Sequence, residues 1–222
     1  MKNADFELFA DLEPGQAPVR GFLHLAQSKR AGSIVLTHGA GGNTKAPLLV
    51  ALCERFAAIG FNALRCDLPF RQRRATGPPS PSNAQKDQDG LRRAVAMMKE
   101  RFGGPAFLGG VSYGGRQASM LVADAPALVE GLLLLSYPLH PPGRAAQLRT
   151  AHLPRLQVPT LFVSGTCDAF GTAAELEAAV KLIPGRARLI SIEGAAHGLL
   201  QKSNREELPG KIVEEFQRFV AT

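Results

Sequence analysis

The 222-residue sequence lacks the features that mark several classes of protein. It has no apolar run of transmembrane length, and its first six residues, MKNADF, lack the hydrophobic core of a secretion signal. Its three cysteines, Cys53, Cys66 and Cys167, form neither a CxxC motif nor a zinc-binding pattern. We interpret them as buried thiols of a reducing compartment. These absences predict a cytoplasmic protein without a membrane partner, and nothing in the sequence implies a metal or a cofactor.

The excess of positive charge raises the question of nucleic-acid binding. The formal net charge is +7, and the sequence pI is about 9.7. However, the densest basic group, residues 71–74 (RQRR), has no interleaved aromatic side chains and belongs to no known nucleic-acid-binding module. We interpret the charge as solvated surface and predict no nucleic-acid partner, although a nucleic-acid-binding protein remains the third hypothesis below.

Length and composition are typical of one globular domain. A chain of 222 residues with 45% hydrophobic side chains can bury a large core, so we predict a single α/β domain over residues 1–222. Short apolar runs alternate with stretches of helical periodicity, which predicts a doubly wound, mostly parallel sheet. The predicted strands are residues 6–9, 21–25, 33–37, 61–66, 106–111, 130–136, 158–164 and 187–192. The predicted helices are residues 47–59, 85–102, 116–123, 173–182 and 206–220, and a polar, proline-rich loop covers residues 68–83.

The most informative motif is Gly110-Val111-Ser112-Tyr113-Gly114, between a predicted strand and a predicted helix. A serine flanked by glycines at such a turn is typical of a nucleophile elbow, in which the strained turn exposes the serine hydroxyl. The glycines avoid collisions between the turn, the helix and the neighbouring strand. An ordinary glycine-rich turn could have the same sequence, so the motif needs an acid, a histidine and an oxyanion loop in the right places.

An aspartate and a histidine follow later predicted strands. Asp168 comes after the strand at residues 158–164, and His197 after the last strand, so both are expected at the edge where parallel sheets place their sites. The chain order Ser112, Asp168, His197 is the order of the elbow class. We predict Ser112 as nucleophile, His197 as general base and Asp168 as the acid that orients the imidazole. Taken singly, Asp168 could instead be a turn residue and His197 a surface histidine.

A glycine-rich loop, HGAGG at residues 38–42, follows the first buried strand. The oxyanion hole of an elbow enzyme takes one N–H from the residue after the nucleophile and a second from such a loop. We therefore predict the backbone amides of Tyr113 and Ala40 as donors, with Gly41 as the alternative to Ala40. A phosphate-binding loop is disfavoured because no Gly-Lys-Ser/Thr ends the run.

Over nearly its whole length the chain resembles the α/β-hydrolase superfamily. More narrowly, it is similar to the hydrolase-like family of the testis-expressed protein 30 group and the third subunit of the KAT8 non-specific lethal complex. The segments that carry this resemblance are THGAGG (37–42), CDLPFR (66–71), GGVSYGGR (109–116) and LSYPLHPPG (135–143). It implies the fold and the triad but no substrate, since the narrower family includes scaffold-like members. Dienelactone-hydrolase-like proteins are broader relatives, but their usual nucleophile is cysteine, which argues against a lactone here.

The site is expected to be open. Only residues 137–157 separate the strand after the elbow helix from the next strand, which leaves room for a loop and a short helix but not for a large lid. Positive side chains fall on the expected rim, and we select Arg71, Arg116 and His140 as substrate-binding candidates for a carboxylate or phosphate. The alternative is that Arg71 and Arg116 pair with local acids such as Asp67 and brace the loops.

Three function classes follow from these patterns. The first is a serine hydrolase that cleaves a small ester or thioester through an acyl-enzyme, with a small-molecule acyl substrate as its partner. The second is a weakly active or inactive binding or scaffold protein on the same fold. The third is a nucleic-acid-binding protein, which only the net charge favours. Peptidase, lipase and acyltransferase activities stay open within the first class, as does the oligomeric state.

Overall fold

The fold is taken from a computed structural model that describes residues 6–221. Residues 1–5, on which most of the argument against a secretion signal rests, lie outside the described residues, as does residue 222. The described residues build one eight-stranded sheet flanked by helices.

The strands are short and mostly buried in the middle of the sheet. Their bounds are β1 Phe6–Asp11, β2 Val19–His24, β3 Gly32–Thr37, β4 Phe61–Asp67, β5 Ala106–Val111, β6 Gly131–Leu135, β7 Thr160–Gly165 and β8 Ala187–Ile192. Every residue of β3, β6 and β7 is buried. Such continuous apolar runs are expected of strands covered on both faces.

The described residues form six α-helices, of which five lie between strands and the last follows β8. They are α1 Pro47–Ala58, α2 Pro69–Arg73, α3 Ala84–Phe102, α4 Tyr113–Asp124, α5 Ala173–Val180 and α6 Leu208–Ala221, with short 3-10 turns at Pro81–Asn83, Pro126–Leu128 and Leu153–Arg155. The predicted apolar stripe of α3, formed by Leu91, Val95 and Met98, is buried as the helical spacing indicates. Thr172 and Glu175 form a capping box at the N-terminus of α5, in which each side chain accepts a hydrogen bond from the other's backbone amide.

The sheet order is β1-β2-β4-β3-β5-β6-β7-β8. β1 and β2 are antiparallel to their neighbours, whereas β3 to β8 run parallel, so the predicted doubly wound, mostly parallel architecture is confirmed. In this register Thr37 lies opposite Gly110, and Val111 opposite Leu135. The carboxyl ends of the central strands therefore meet at one edge, where ligands bind in open α/β sheets.

The core has a layer on each face of the sheet. Leu64, Leu91 and Leu134 belong to the layer under α3 and α4, and Ile34 and Phe216 belong to the layer under α1 and α6. Successive side chains along β3 point to opposite layers, because side chains alternate between the two faces of a strand.

Two predicted segments differ from the structure in detail. Residues 68–83 were expected to be a loop, but Pro69 begins the five-residue helix α2, since its fixed φ suits the first helical position. Between β6 and β7, the only regular element within the described chain is the turn Leu153–Arg155. Tyr137 and Leu139 of this connection are buried in the core, so it lies on the fold and forms no large lid.

Candidate active site

Ser112 occupies a strained turn between β5 and α4. Its φ is 51°, a left-handed conformation that is rare outside glycine. Its amide donates to Leu135 O at 2.8 Å, and its carbonyl accepts from Arg116 N at 2.9 Å. These bonds hold the turn at both ends, and strain of this kind is a recurring feature of functional sites.

The glycines beside Ser112 are required by close backbone approaches. A Cβ on Gly110 would lie 2.8 Å from the carbonyl carbon of Gly114, and one on Gly114 would lie 2.6 Å from Thr37 Cγ2 and closer still to His38 O. Any side chain at Gly114 would therefore push the glycine-rich loop at residues 38–42 away from the start of α4.

Asp168, His197 and Ser112 form a continuous chain of hydrogen bonds. His197 Nδ1 lies 2.8 Å from Asp168 Oδ2 and 3.0 Å from Oδ1, and His197 Nε2 lies 2.8 Å from Ser112 Oγ. Because the carboxylate accepts from Nδ1–H, the lone pair of Nε2 faces the serine hydroxyl. The imidazole is thus placed to take the Ser112 proton.

The loops that carry the acid and the histidine are tied to each other. Cys167 N donates to Ala195 O at 2.9 Å, and Gly194 N donates to Thr166 Oγ1 at 2.9 Å. Asp168 is only 5% exposed, so its carboxylate is kept from water by this pairing of loops.

Phe170 is a site residue that the sequence did not reveal. Its ring stacks on the His197 imidazole with centroids 4.2 Å apart, and its amide donates to Asp168 Oδ1 at 2.9 Å. Phe170 therefore orients both members of the pair. No motif marks it, because its role depends on how the loop after β7 folds back.

The glycine-rich loop lies directly beside the serine. A Cβ on Gly39 would lie 3.3 Å from Ser112 Cβ. Gly42 N donates to Gly39 O at 3.0 Å, and His38 Nδ1 lies 2.8 Å from the same carbonyl. In a trans peptide the C=O and the N–H point in opposite directions. The two bonds that hold the Gly39 carbonyl therefore also fix the direction of the Ala40 N–H, which points away from His38 Nδ1 and Gly42 N.

His38 is a neutral part of this scaffold. Its Nδ1 must carry the proton to donate to Gly39 O, and its Nε2 accepts from Leu68 N at 3.1 Å. Burial lowers the pKa of His38 below its ordinary value. Its 3.5 Å approach to Asp67 is therefore not an ion pair. The sequence analysis identified this histidine only as the first residue of the glycine-rich loop and predicted no role for it.

Arg71 lies under the loop and does not contact either cavity beside Ser112. It is 6% exposed, and its guanidinium donates to four carbonyls: Ala40 at 2.7 Å, Gly42 at 2.8 Å, Gly77 at 3.0 Å and Arg74 at 3.1 Å. Four of its five N–H groups are thus occupied by backbone. In place of the predicted substrate contact, Arg71 braces two loops through carbonyls, not through Asp67.

Arg71 also determines the direction of one amide. Its Nη2 holds the Ala40 carbonyl, so the N–H of the same peptide, that of Gly41, points away from the guanidinium. We identify Arg71 as a positioning residue for this loop.

His140 also lies away from the serine. Its Nδ1 is 2.9 Å from Pro141 O, and its Nε2 is 3.4 Å from Glu175 Oε2. It is buried and contacts neither cavity, so the structure does not bring it to the predicted substrate position. The reason is that the chain after β6 packs His140 against α5.

Two cavities meet at Ser112, Ala40 and Phe170. The first has a volume of about 470 Å³ and a largely apolar wall that includes Leu48, Leu200 and His197, together with one exposed cation, Arg205. The second, about 510 Å³, includes Arg116, which the sequence selected as substrate-binding, and Arg149, which ends the rim segment expected at residues 137–149 but was not selected. Their common boundary makes Ser112 accessible from both sides.

The residues that could serve other roles are few. Cys53 and Cys66 are buried as predicted, and burial raises the pKa of the Cys66 thiol to about 12. The prediction of a buried thiol is wrong for Cys167, which is exposed in the loop after β7. In residues 6–221, no three His, Cys, Asp or Glu side chains cluster as metal ligands. No helix of the same residues is long and apolar enough to cross a bilayer.

Comparison with known proteins establishes the family. The model of the alpha/beta hydrolase domain family matches residues 30–221, and the chain therefore belongs to this family. A 50-residue stretch, 22% of the chain, is 54% identical to the polyketide synthase ThaQ of Burkholderia thailandensis. The chain spans only 2% of that protein's length.

Solved structures show the same fold at low sequence identity. Est1E from Butyrivibrio proteoclasticus is 17% identical with a TM-score of 0.75, covering 98% of this chain and 100% of its own. Dienelactone hydrolase from Anabaena variabilis is 20% identical with a TM-score of 0.75, covering 97% and 99%. XC6422 from Xanthomonas campestris, described as an α/β serine hydrolase without a lid, is 14% identical with a TM-score of 0.70, covering 100% and 98%.

Proposed function

We propose that this member of the α/β-hydrolase family cleaves a small ester or thioester through an acyl-enzyme formed on Ser112. The observation that carries the proposal is the chain of hydrogen bonds from Asp168 through His197 to Ser112, with 2.8 Å on each side of the imidazole. A nucleophile, its base and the group that orients the base are the parts such chemistry requires.

Acylation begins at the serine hydroxyl. Ser112 Oγ attacks the substrate carbonyl carbon while its proton passes to His197 Nε2, and the buried Asp168 carboxylate stabilises the resulting imidazolium. The tetrahedral intermediate then collapses, and the bond to the leaving oxygen or sulfur breaks. The imidazolium gives its proton to that leaving atom, so the acyl group remains on Ser112.

Deacylation repeats these steps with water. His197 takes a proton from the water as its oxygen attacks the acyl carbon. Collapse of the second intermediate breaks the bond to Ser112 Oγ, which recovers its proton from His197. The products are a carboxylic acid and the alcohol or thiol released earlier.

The oxyanion of each intermediate needs two fixed donors. We assign this role to the amides of Tyr113 and Ala40, with Gly41 as the alternative. The support comes from the loop itself, which Arg71 and His38 hold by its carbonyls beside Ser112. Backbone donors held in this way require little reorganisation during the reaction.

Labelling and turnover test the proposal. A fluorophosphonate probe should label the wild-type protein and a Ser203→Ala control, in which an exposed serine is removed, but not Ser112→Ala. Hydrolysis of short p-nitrophenyl esters, acyl-CoAs and lactones should fall at least about 10³-fold in Ser112→Ala. A wild-type protein that neither reacts with the probe nor hydrolyses any of these substrates would favour the scaffold alternative.

The finer assignments rest on the sequence. The choice between ester and thioester, the narrower testis-expressed protein 30-like family, the cytoplasmic location and the single domain over residues 1–222 are part of the proposal. A weakly active scaffold is the second candidate, and the resemblance to a family with scaffold-like members favours it.

A further inference from the structure

The second cavity beside Ser112 contains positive charge without a matching acid. Arg116 lies one helical turn after Ser112, and its amide donates to the Ser112 carbonyl, so both residues lie on the same side of α4. Arg149 belongs to the connection between β6 and β7, and its side chain reaches the same cavity. Two cations from separate elements therefore face one space next to the nucleophile.

Both cations lack an acidic partner. Among residues 6–221, no Asp or Glu forms an ion pair with Arg116 or Arg149. Burial and the neighbouring Arg116 charge both lower the pKa of Arg149. Like charges that are partly removed from water without a counter-ion are unfavourable, and a bound anion would relieve this cost.

Two donors without a partner belong to side chains that line the same space. Arg116 Nε is shielded from solvent and has no hydrogen-bond partner in the described chain, and the same is true of Gln117 Nε2. The Gln117 side chain is fully buried and lines the cavity, and only its Oε1 is engaged, by Gln88 Nε2 at 2.9 Å. Buried donors are usually satisfied, so these two point to an acceptor that the protein itself does not provide.

Arg149 is held in place by hydrogen bonds of both its backbone and its guanidinium. Arg149 N donates to Leu139 O at 2.8 Å, its carbonyl accepts from Tyr137 OH at 2.7 Å, and its Nη1 donates to Pro138 O at 3.2 Å. The nearby carboxylate of Asp87 accepts from the Tyr113 hydroxyl and from Phe70 N, and it does not line the cavity. The cavity is therefore a preorganised cationic site, in which Arg149 is held in place and the Asp87 carboxylate does not neutralise its charge.

The position of His197 indicates which part of the substrate lies here. His197 must protonate the leaving group, and it lines the apolar cavity but not the cationic one. The leaving group therefore belongs in the apolar cavity, and the acyl part extends from Ser112 toward Arg116.

We propose that the cavity formed by Arg116, Arg149 and Gln117 binds a carboxylate or phosphate on the acyl part of the substrate. This inference rests on the proposed hydrolysis at Ser112 for its catalytic meaning. It selects short acyl groups that end in an anion, and a guanidinium can hold such a group with two parallel hydrogen bonds.

Turnover of matched esters tests the selectivity. Ethyl half-esters of succinic, glutaric and adipic acid are compared with ethyl butyrate, valerate and hexanoate by titrating the released acid. For the wild type we expect kcat/KM for one half-ester to exceed that of its neutral counterpart. In Arg116→Gln, Arg149→Gln and the double variant this ratio should fall on the order of 10- to 100-fold, mainly through KM.

The control removes a charge elsewhere. Arg92→Gln, at an exposed position of α3, lowers the net charge equally and should leave the ratio unchanged. Arg116→Lys should recover part of the loss, because it restores charge without the planar fork. Equal losses on neutral and anionic esters in the glutamine variants, or an equal change of the ratio in Arg92→Gln, would overturn the proposal.

Binding without turnover separates the site from the chemistry. Calorimetry on Ser112→Ala, with ethyl hemiglutarate and with inorganic phosphate as separate probes, should detect binding that is at least about tenfold weaker when Arg116→Gln is added. Binding with this dependence in a protein that hydrolyses no ester would retain the anion site and reject the hydrolase. Hydrolysis of esters with no such binding would do the reverse, and the two probes show which anion fits.

Discussion

Two arginines on either side of Ser112 are in opposite situations. Arg71 is buried beneath the glycine-rich loop, and four backbone carbonyls occupy its guanidinium. Arg116 faces an open cavity, and its shielded Nε has no partner in the described residues. The difference teaches that a cation is structural where the fold supplies acceptors and is available to a ligand where it does not.

The largest effect is expected from removing the brace. Arg71→Met leaves buried carbonyls without donors and frees the Ala40–Gly41 peptide to rotate, so kcat on a neutral ester should fall about 10²-fold. KM should change by less than about threefold, because the cavities do not include Arg71. The unfolding free energy should fall by about 2–4 kcal/mol.

Steady-state kinetics and urea unfolding measure both quantities. Arg71→Lys should recover little, since one ammonium cannot reach four carbonyls. Arg73→Met is the matched control on the same helix, because Arg73 is exposed and the one hydrogen bond of its guanidinium within residues 6–221 goes to the half-buried Asn83 side chain. If Arg71→Met retained wild-type kcat, Arg71 would not position the loop.

A smaller effect is expected from adding a methyl group where the glycine-rich loop packs on the start of α4. Gly114→Ala places a methyl group 2.6 Å from Thr37 Cγ2, and the unfolding free energy should fall by about 1–3 kcal/mol. Gly41→Ala is the matched variant, because a Cβ there meets nothing within 4 Å, and its stability should stay within about 0.5 kcal/mol of wild type. Urea unfolding of both proteins compares them, and equal stabilities would contradict the close packing of the loop on α4.

A pH-dependent effect is expected on the cationic side. His152 lies beneath Arg116, its Nε2 is 2.8 Å from Ser119 Oγ, and burial followed by the Arg116 charge lowers its pKa to about 4. Above pH 6.5 it is neutral in both folded and unfolded chains. Between pH 6.5 and 4 only the unfolded chain binds the proton. The free energy of unfolding therefore decreases as the pH is lowered, by up to about 3 kcal/mol from this histidine.

Unfolding measured between pH 7 and pH 4 checks this expectation. The unfolding free energy of His152→Gln should depend less steeply on pH than that of the wild type, because the variant lacks the titrating imidazole. His24, at the end of β2, also has its pKa lowered to about 4 by burial, so it contributes a similar pH dependence and remains in the variant. Identical slopes in wild type and His152→Gln would show that His152 does not titrate as its burial requires.

Local patterns in the sequence predicted the elements and their order well. The alternation of apolar runs and helical periods is a property of neighbouring residues, so β3, β5 and α3 were found at nearly their observed bounds. Helix α2 was missed because five residues are too few to display a period. The triad candidates could be named because strand ends, chain order and residue type are all visible in one dimension.

The rim residues were harder to predict, because partners decide their roles. Arg71, Arg116 and His140 are all basic residue types in the sequence, yet the first meets carbonyls, the second faces a cavity and the third packs against α5. Arg149 and Phe170 were not selected, since no motif marks the fold-back that brings them to Ser112.

The sequence by itself determined the α/β architecture and selected Ser112, Asp168 and His197 as the candidates for the site. Only the tertiary structure decided which cations are satisfied, where the two cavities meet and that Arg149 joins Arg116. The physical reason is that periodicity and turn chemistry act between neighbours along the chain. The solvation and pairing of a charge depend on groups that are distant in sequence and close in space.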